Sequence, residues 1–121
     1  MQQFDVIVVG KGNAALCAAL AAKDRGASVA ILEAAPEDES GGNSRFAGGV
    51  MRFAYDGVDD LMKVTDIPAD EVKSVDWESN TQEEFYDDLY HVTSYRTDPD
   101  LSEALITQSL DAMVWLRGQG A

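Results

Sequence analysis

The sequence predicts an α/β fold, a partial Rossmann-like βαβ unit with an incomplete sheet, followed by helices. Three observations lead to this prediction. An apolar, β-branched run occupies residues 4–9 and ends in a glycine-rich turn, an alanine-rich stretch follows at residues 13–24, and a second apolar run occupies residues 28–32. Strand, helix and strand in this order are typical of a parallel sheet.

The first strand and its turn have the residues of a nucleotide-binding motif. Val6 to Val9 contain no polar residue, so we expect a strand buried on both faces. The next six residues, GKGNAA, match G-x-G-x-x-G/A with alanine in the last place. Gly10 permits the tight turn, Gly12 lets a pyrophosphate approach the backbone, and Ala15 allows the helix to pack closely on the strand.

The predicted helix from about Asn13 to Asp24 begins at this turn. Its free N–H groups and the positive end of its dipole therefore face a bound anion, and Gly26 is expected to end the helix. The second strand is followed by Glu33, where a carboxylate accepts hydrogen bonds from ribose hydroxyls. A 2′-phosphate would meet like charge there, which disfavours NADP. Together these features favour nucleotide binding over a purely structural βαβ unit.

A second glycine-rich loop helps to separate FAD from NAD. Residues 36–49 hold two glycine pairs, with Asn43, Ser44 and Arg45 between them. Such a loop brings backbone N–H groups and short polar side chains to a second face of a pyrophosphate. Lys11 and Arg45 are the bases within the two loops, and we expect both to be solvated because backbone donors bind most phosphates.

With these stretches in place, the chain resembles the N-terminal part of flavoproteins of the fumarate reductase and succinate dehydrogenase superfamily, especially its tricarballylate dehydrogenase branch. The stretches that carry the resemblance are Val6–Leu20, Ile31–Ala34, Gly41–Ser44, Gly48 with Gly49, Phe85–Leu101 and Val114–Gly120. They are spread over nearly the whole chain, and residues 54–80 are the least informative.

The resemblance implies an FAD site formed by both glycine loops. The implied residues are Gly10, Gly12, Asn13, Ala14 and Ala15 around the pyrophosphate, Glu33 and Ala34 at the adenosine ribose, and Gly42, Asn43, Ser44, Gly48 and Gly49 on the pyrophosphate and ribityl side. Membrane-bound relatives attach FAD through a histidine in the second loop, where this chain has none. Its single histidine, His91, belongs to a later helix, so we expect noncovalent FAD.

The resemblance also implies a flavin-dependent dehydrogenase or reductase. It would act on a di- or tricarboxylate such as tricarballylate, fumarate or succinate, with an unidentified electron donor or acceptor. The resembling enzymes are several times longer than these 121 residues and carry arginine and histidine motifs not found here. We therefore expect an N-terminal fragment, inactive alone, whose main partner is the missing C-terminal part of the same enzyme. No catalytic residue or metal ligand is assigned.

Two other interpretations remain open, an NAD-binding Rossmann module and a nonenzymatic acidic domain whose glycine motif has no ligand.

The charge distribution restricts the possible partners. The first 33 residues carry three acids and three bases, whereas the rest carry 19 acids and six bases. Such a surface repels nucleic acid and anionic membranes. No segment has the pattern of a signal peptide or a membrane span, so we expect a cytoplasmic protein without direct membrane insertion.

Two segments are expected. Residues 1–57 would form the FAD-binding βαβ unit with the second glycine loop, and residues 58–121 a helical segment of the same FAD-binding domain. The predicted elements of that segment are a short helix over Val58–Val64, a mobile connection over residues 65–80, a capped helix from Thr81 to about Ser94, and a last helix from Asp98 to about Arg117. The last helix would bury Leu101, Leu105, Ala112, Met113 and Leu116.

Overall fold

The computed structural model describes all 121 residues, which divide into two compact units, Met1–Val50 and Met51–Ala121. Unit 1 contains strand β1 (Val6–Val9), helix α1 (Asn13–Asp24), strand β2 (Val29–Leu32) and 3₁₀ helices at Glu37–Glu39 and Gly42–Phe46. Unit 2 contains α2 (Val58–Val64), α3 (Ala69–Ser74), α4 (Gln82–Val92), α5 (Pro99–Thr107) and α6 (Ser109–Gly118). The predicted α/β fold with an incomplete sheet is confirmed. The assignment of residues 58–121 to the same domain stays a prediction.

Strands β1 and β2 form a two-stranded parallel sheet, in which Val6 pairs with Val29 and Val9 with Leu32. A side-chain clasp fixes the start of this pairing. The Asp5 carboxylate accepts hydrogen bonds from the Ser28 backbone N–H at 2.8 Å and the Ser28 hydroxyl at 2.6 Å, while the Asp5 N–H donates to the Ser28 hydroxyl at 3.0 Å. These bonds, with the Ser28 hydroxyl foremost, lower the pKa of Asp5.

The expectation that β1 is buried on both faces is wrong within these residues. Val6 and Val8 are partly covered, but Ile7 is 60% and Val9 81% exposed. Successive side chains of a strand point to opposite faces of the sheet. Unit 1 supplies only α1 to cover this sheet, and one helix layer buries one face.

The predicted bounds of α1 are confirmed. Gly26 adopts a left-handed φ of +83° just after the helix and donates its N–H to the carbonyl of Lys23 at 2.8 Å. The Ala27 N–H reaches the carbonyl of Ala22 at 3.2 Å. These two bonds form a Schellman motif, whose left-handed residue is most often glycine.

The core of unit 2 joins residues that are far apart in sequence. Ala54, Phe85 and Ile106 are buried together, with the rings and chains of Tyr86 and Leu89 packed against them. The predicted capping box of α4 is confirmed, because Thr81 and Glu84 each accept the other's backbone N–H through a side-chain oxygen. No helix combines the length and the apolar content that a bilayer span requires.

Two expectations about unit 2 are wrong. The connection predicted over residues 65–80 contains α3, which follows Pro68 and has acids in its first turn and Lys73 in its last. This charge order favours a helix through the helix dipole. The last predicted helix is divided at Gln108 into α5 and α6, although Asp98 caps its start as expected by accepting the Leu101 N–H at 3.0 Å.

The predicted apolar face of the last helix is also incorrect. Leu101 is 70% and Leu105 52% exposed, whereas Ile106 is completely buried. Ser102 and Ser109 share the interior with Ile106 because their hydroxyls find partners: Ser109 accepts the Ala54 N–H at 2.9 Å and donates to the Ile106 carbonyl at 2.8 Å. The buried face is therefore the one that carries Ser102, Ile106 and Ser109, and Leu101 and Leu105 lie on the exposed side.

Candidate functional site

The first glycine turn has the backbone geometry that the motif requires. Gly10 has a φ of +103°, in the region that favours glycine over residues with a side chain, and donates its N–H to the carbonyl of Leu32 at 2.6 Å. The turn is therefore held against the end of β2. Gly12 precedes α1 in an extended conformation, and having no side chain it cannot cap the helix.

The second loop supplies the missing cap. The Ser44 hydroxyl accepts a hydrogen bond from the backbone N–H of Asn13, the first residue of α1, at 2.9 Å. A Cβ on Gly12 would lie 3.4 Å from the carbonyl oxygen of Gly41 and 3.6 Å from the Ser44 hydroxyl oxygen. Gly12, Asn13 and Ser44 are thus brought together, although the loops are far apart in sequence.

The start of α1 keeps donors available for an anion. The first hydrogen bond within the helix runs from the Leu16 N–H to the Gly12 carbonyl at 3.0 Å. The N–H groups of Ala14 and Ala15 have no protein acceptor. Ser44 retains its hydroxyl proton, because it accepts rather than donates in its bond to Asn13. Three donors therefore remain at the position predicted for a pyrophosphate.

An open cleft of about 360 Å³ lies beside the turn, and its lining residues are Lys11, Ile31, Glu33, Ala35, Glu37 and Ser40. One carboxylate oxygen of Glu33 accepts the Ala35 N–H at 2.9 Å. This bond is the main cause of the lowered pKa of Glu33, with smaller contributions from the backbone of Ala34 and from Lys11. The Glu33 side chain is therefore held as an ionised acceptor in a cleft, which suits the hydroxyls of a ribose.

The remaining predicted residues lie on the second loop. Gly42, Asn43 and Ser44 belong to the 3₁₀ helix at Gly42–Phe46, while Gly48 and Gly49 follow it in a turn with left-handed φ values of +64° and +75°. A Cβ added to Gly42, Gly48 or Gly49 would meet no atom within 4 Å. The backbone of this loop is therefore open to solvent, and direct FAD contacts by these glycines stay a prediction.

The comparisons with known proteins decide the family. The chain matches a family described as "FAD binding domain" over residues 5–121. The chain belongs to this FAD-binding domain family. Its cofactor is therefore FAD, which sets aside both the NAD-binding module and the domain without a ligand. Neither glycine loop contains a histidine, consistent with noncovalent FAD.

Relatives of this FAD-binding domain include named reductases and dehydrogenases. It is 32% identical over 117 residues to a fumarate reductase (cytochrome) from Shewanella frigidimarina, covering 97% of this chain and 18% of that protein. It is 30% identical over 119 residues to an NADH:fumarate oxidoreductase from Klebsiella pneumoniae strain 342, covering 98% and 11%. A 3-oxosteroid 1-dehydrogenase from Mycobacterium tuberculosis H37Rv is 48% identical over 50 residues, covering 41% and 9%. The domain thus spans less than a fifth of the length of these relatives. No solved structure matches it.

The matches thus show an FAD-binding domain that is similar to parts of proteins named as fumarate reductases. The sequence predicts a cofactor site at the two glycine loops and Glu33, but it does not predict the hydrogen bond from Asn13 to Ser44 or the clasp between Asp5 and Ser28. Neither has a local signal, because both join residues more than 20 positions apart. No group of three or more His, Cys, Asp or Glu side chains is placed to hold a metal ion.

Proposed function

We propose that this chain is the FAD-binding part of a flavin-dependent dehydrogenase or reductase that acts on the CH–CH bond of a di- or tricarboxylate. The observation that carries the proposal is the link between the two glycine loops, in which the Ser44 hydroxyl receives the first N–H of α1. This link suits a dinucleotide held from two sides. The Glu33 carboxylate in the adjoining cleft suits its adenosine ribose.

The substrate class is supported by the relatives and by the resemblance. Two relatives that cover almost the whole chain are named for fumarate. Tricarballylate is favoured as the finer choice by the similarity of the glycine loops and of residues 85–101 to tricarballylate dehydrogenases. All three candidate substrates, fumarate, succinate and tricarballylate, carry at least two carboxylates.

When bound, the flavin would supply the hydride chemistry that protein side chains lack. The residues of this chain would bind the cofactor and orient it through α1, the second loop and Glu33. The net charge of −13 repels a polycarboxylate, so we infer that cations outside this chain bind the substrate. The partners would then be the remainder of the polypeptide, the polycarboxylate and an electron donor or acceptor. A cytoplasmic location stays a prediction of the sequence.

The test is flavin analysis and turnover of the full-length protein. We expect acid to release unmodified FAD, and we expect turnover of one of the three polycarboxylates with an artificial electron donor or acceptor. This chain alone should show no turnover. A 3-oxosteroid belongs in the same assay, because the 48% identity over 50 residues concerns a steroid dehydrogenase. Turnover of the steroid but of no polycarboxylate would overturn the substrate proposal, and a flavin-free protein would overturn the whole of it.

A further inference from the structure

The cleft beside the glycine turn contains a basic residue, Lys11, to which the cofactor site described above gives no role. Glu33 and Glu37 both line it, and Lys11 is its single basic residue. FAD adds two negative phosphates close to these carboxylates. Like charges repel, so a cation beside these carboxylates would favour binding of a phosphate there.

The other bases of unit 1 do not line this cleft. Lys23 and Arg25 lie at the far end of α1, where the Arg25 guanidinium donates to the carbonyl of Ala21 at 3.2 Å. The Arg45 guanidinium lies 5.9 Å from the centroid of the Phe46 ring on the second loop. Lys11 forms no ion pair within 4.0 Å, so its ammonium group is available to a ligand.

The backbone position of Lys11 is fixed by its two glycine neighbours. Lys11 stands between Gly10, whose N–H is bonded to the Leu32 carbonyl, and Gly12, which is packed near Gly41. Lys11 thus precedes the start of α1 and lines the cleft, which are the expected places of the pyrophosphate and the adenosine.

We infer that Lys11 is a further FAD-binding residue, whose ammonium group contacts the adenylate phosphate and offsets the carboxylates of Glu33 and Glu37. This inference rests on the FAD-binding part of the proposed function. It departs from the sequence expectation of a solvated lysine, because the cleft places this base among acids without an ion pair within 4.0 Å. Lysine provides a point charge for a phosphate, in addition to the backbone donors of α1.

The test compares Lys11→Gln with Lys23→Gln in the full-length protein freed of flavin. Both variants remove one positive charge from an exposed residue of unit 1. Lys23 lies about 15 Å farther along the helix axis, beyond the screening length at physiological salt. We expect Lys11→Gln to raise the Kd for FAD by about five- to tenfold at physiological salt, and Lys23→Gln to leave it unchanged.

Three further readings identify the contact as electrostatic and as adenylate-specific. The effect of Lys11→Gln should shrink in high salt, Lys11→Arg should restore affinity, and AMP should lose affinity for Lys11→Gln to the same degree as FAD. Equal affinities of Lys11→Gln and Lys23→Gln, or an effect indifferent to salt, would overturn this inference while leaving FAD binding intact. A wild-type protein that does not bind FAD would overturn the proposed function as well.

Discussion

Replacement of Ser44 by alanine tests the link on which the site depends. The change removes the side-chain cap at the start of α1, because Gly12 has no side chain and the Asn13 N–H is bonded to Ser44 at 2.9 Å. Loss of a helix cap costs about 1 kcal/mol, and water replaces part of an exposed bond. We therefore expect the apoprotein to lose about 1 kcal/mol of unfolding free energy.

The affinity for FAD should fall as well. In Ser44→Ala the second loop loses its attachment to α1 and one donor that faces the expected pyrophosphate. One neutral hydrogen bond of about 1 kcal/mol corresponds to about fivefold in Kd. The assay is urea unfolding of the apoprotein together with a fluorescence titration of FAD, both on the full-length protein.

Ser74→Ala is the matched control. Ser74 is an exposed serine of α3 whose hydroxyl donates to the Asp70 carbonyl at 2.8 Å, within the same helix segment. Its replacement should leave FAD affinity unchanged. Should Ser44→Ala match Ser74→Ala in both stability and FAD affinity, the hydrogen bond would have no part in joining the loops, and the site would lose its main structural support.

Three other predictions test separate features. Glu33→Gln should weaken FAD binding by roughly tenfold near neutral pH. Because the pKa of Glu33 is lowered from its usual value of 4.5, the affinity of the wild-type protein for FAD should fall only when the pH drops below 4.5. Equal FAD affinities of the wild-type protein and Glu33→Gln across the pH range would contradict the ribose contact. Asp5→Asn should remove a stabilisation that is present above pH 3.8 and lost as pH falls through the lowered pKa of Asp5, seen as a flatter acid-unfolding curve. Ile106→Ala should cost about 2–5 kcal/mol in urea unfolding, whereas Leu105→Ala should cost less than about 1 kcal/mol, and the reverse order would refute the assigned face of α5.

The parts of the fold that the sequence predicted are those governed by local rules. Gly10 and Gly26 mark the two turns that bound α1, and both adopt the left-handed φ for which glycine is selected. Thr81 and Glu84 form the capping box that their spacing predicts. Each of these signals is read within a few residues, so no knowledge of distant packing is needed.

The parts that the sequence did not predict depend on contacts across long separations. Ser44 caps a helix that begins 31 residues earlier, and Ser109 is buried because Ala54, 55 residues earlier, gives it an N–H. A prediction from hydrophobic periodicity treats Ser102 and Ser109 as polar and exposed, whereas both are buried. Periodicity therefore predicts a buried face with Leu101 and Leu105, whereas hydrogen bonding allows Ser102 to be buried on α5 instead.

Because one face of β1 is exposed, bound FAD is expected to matter for the stability of unit 1. Ile7 and Val9 remain largely in water, so their apolar groups add little of the roughly 1.5–3 kcal/mol that full burial of such a side chain provides. All FAD contacts implied in this chain lie within Met1–Val50, which contains both glycine loops and Glu33. A ligand present at 100 times its Kd stabilises the state that binds it by about 2.7 kcal/mol. We therefore expect bound FAD to contribute to unit 1 a stabilisation comparable to that of a buried core residue, which couples the order of the two loops to occupation of the site.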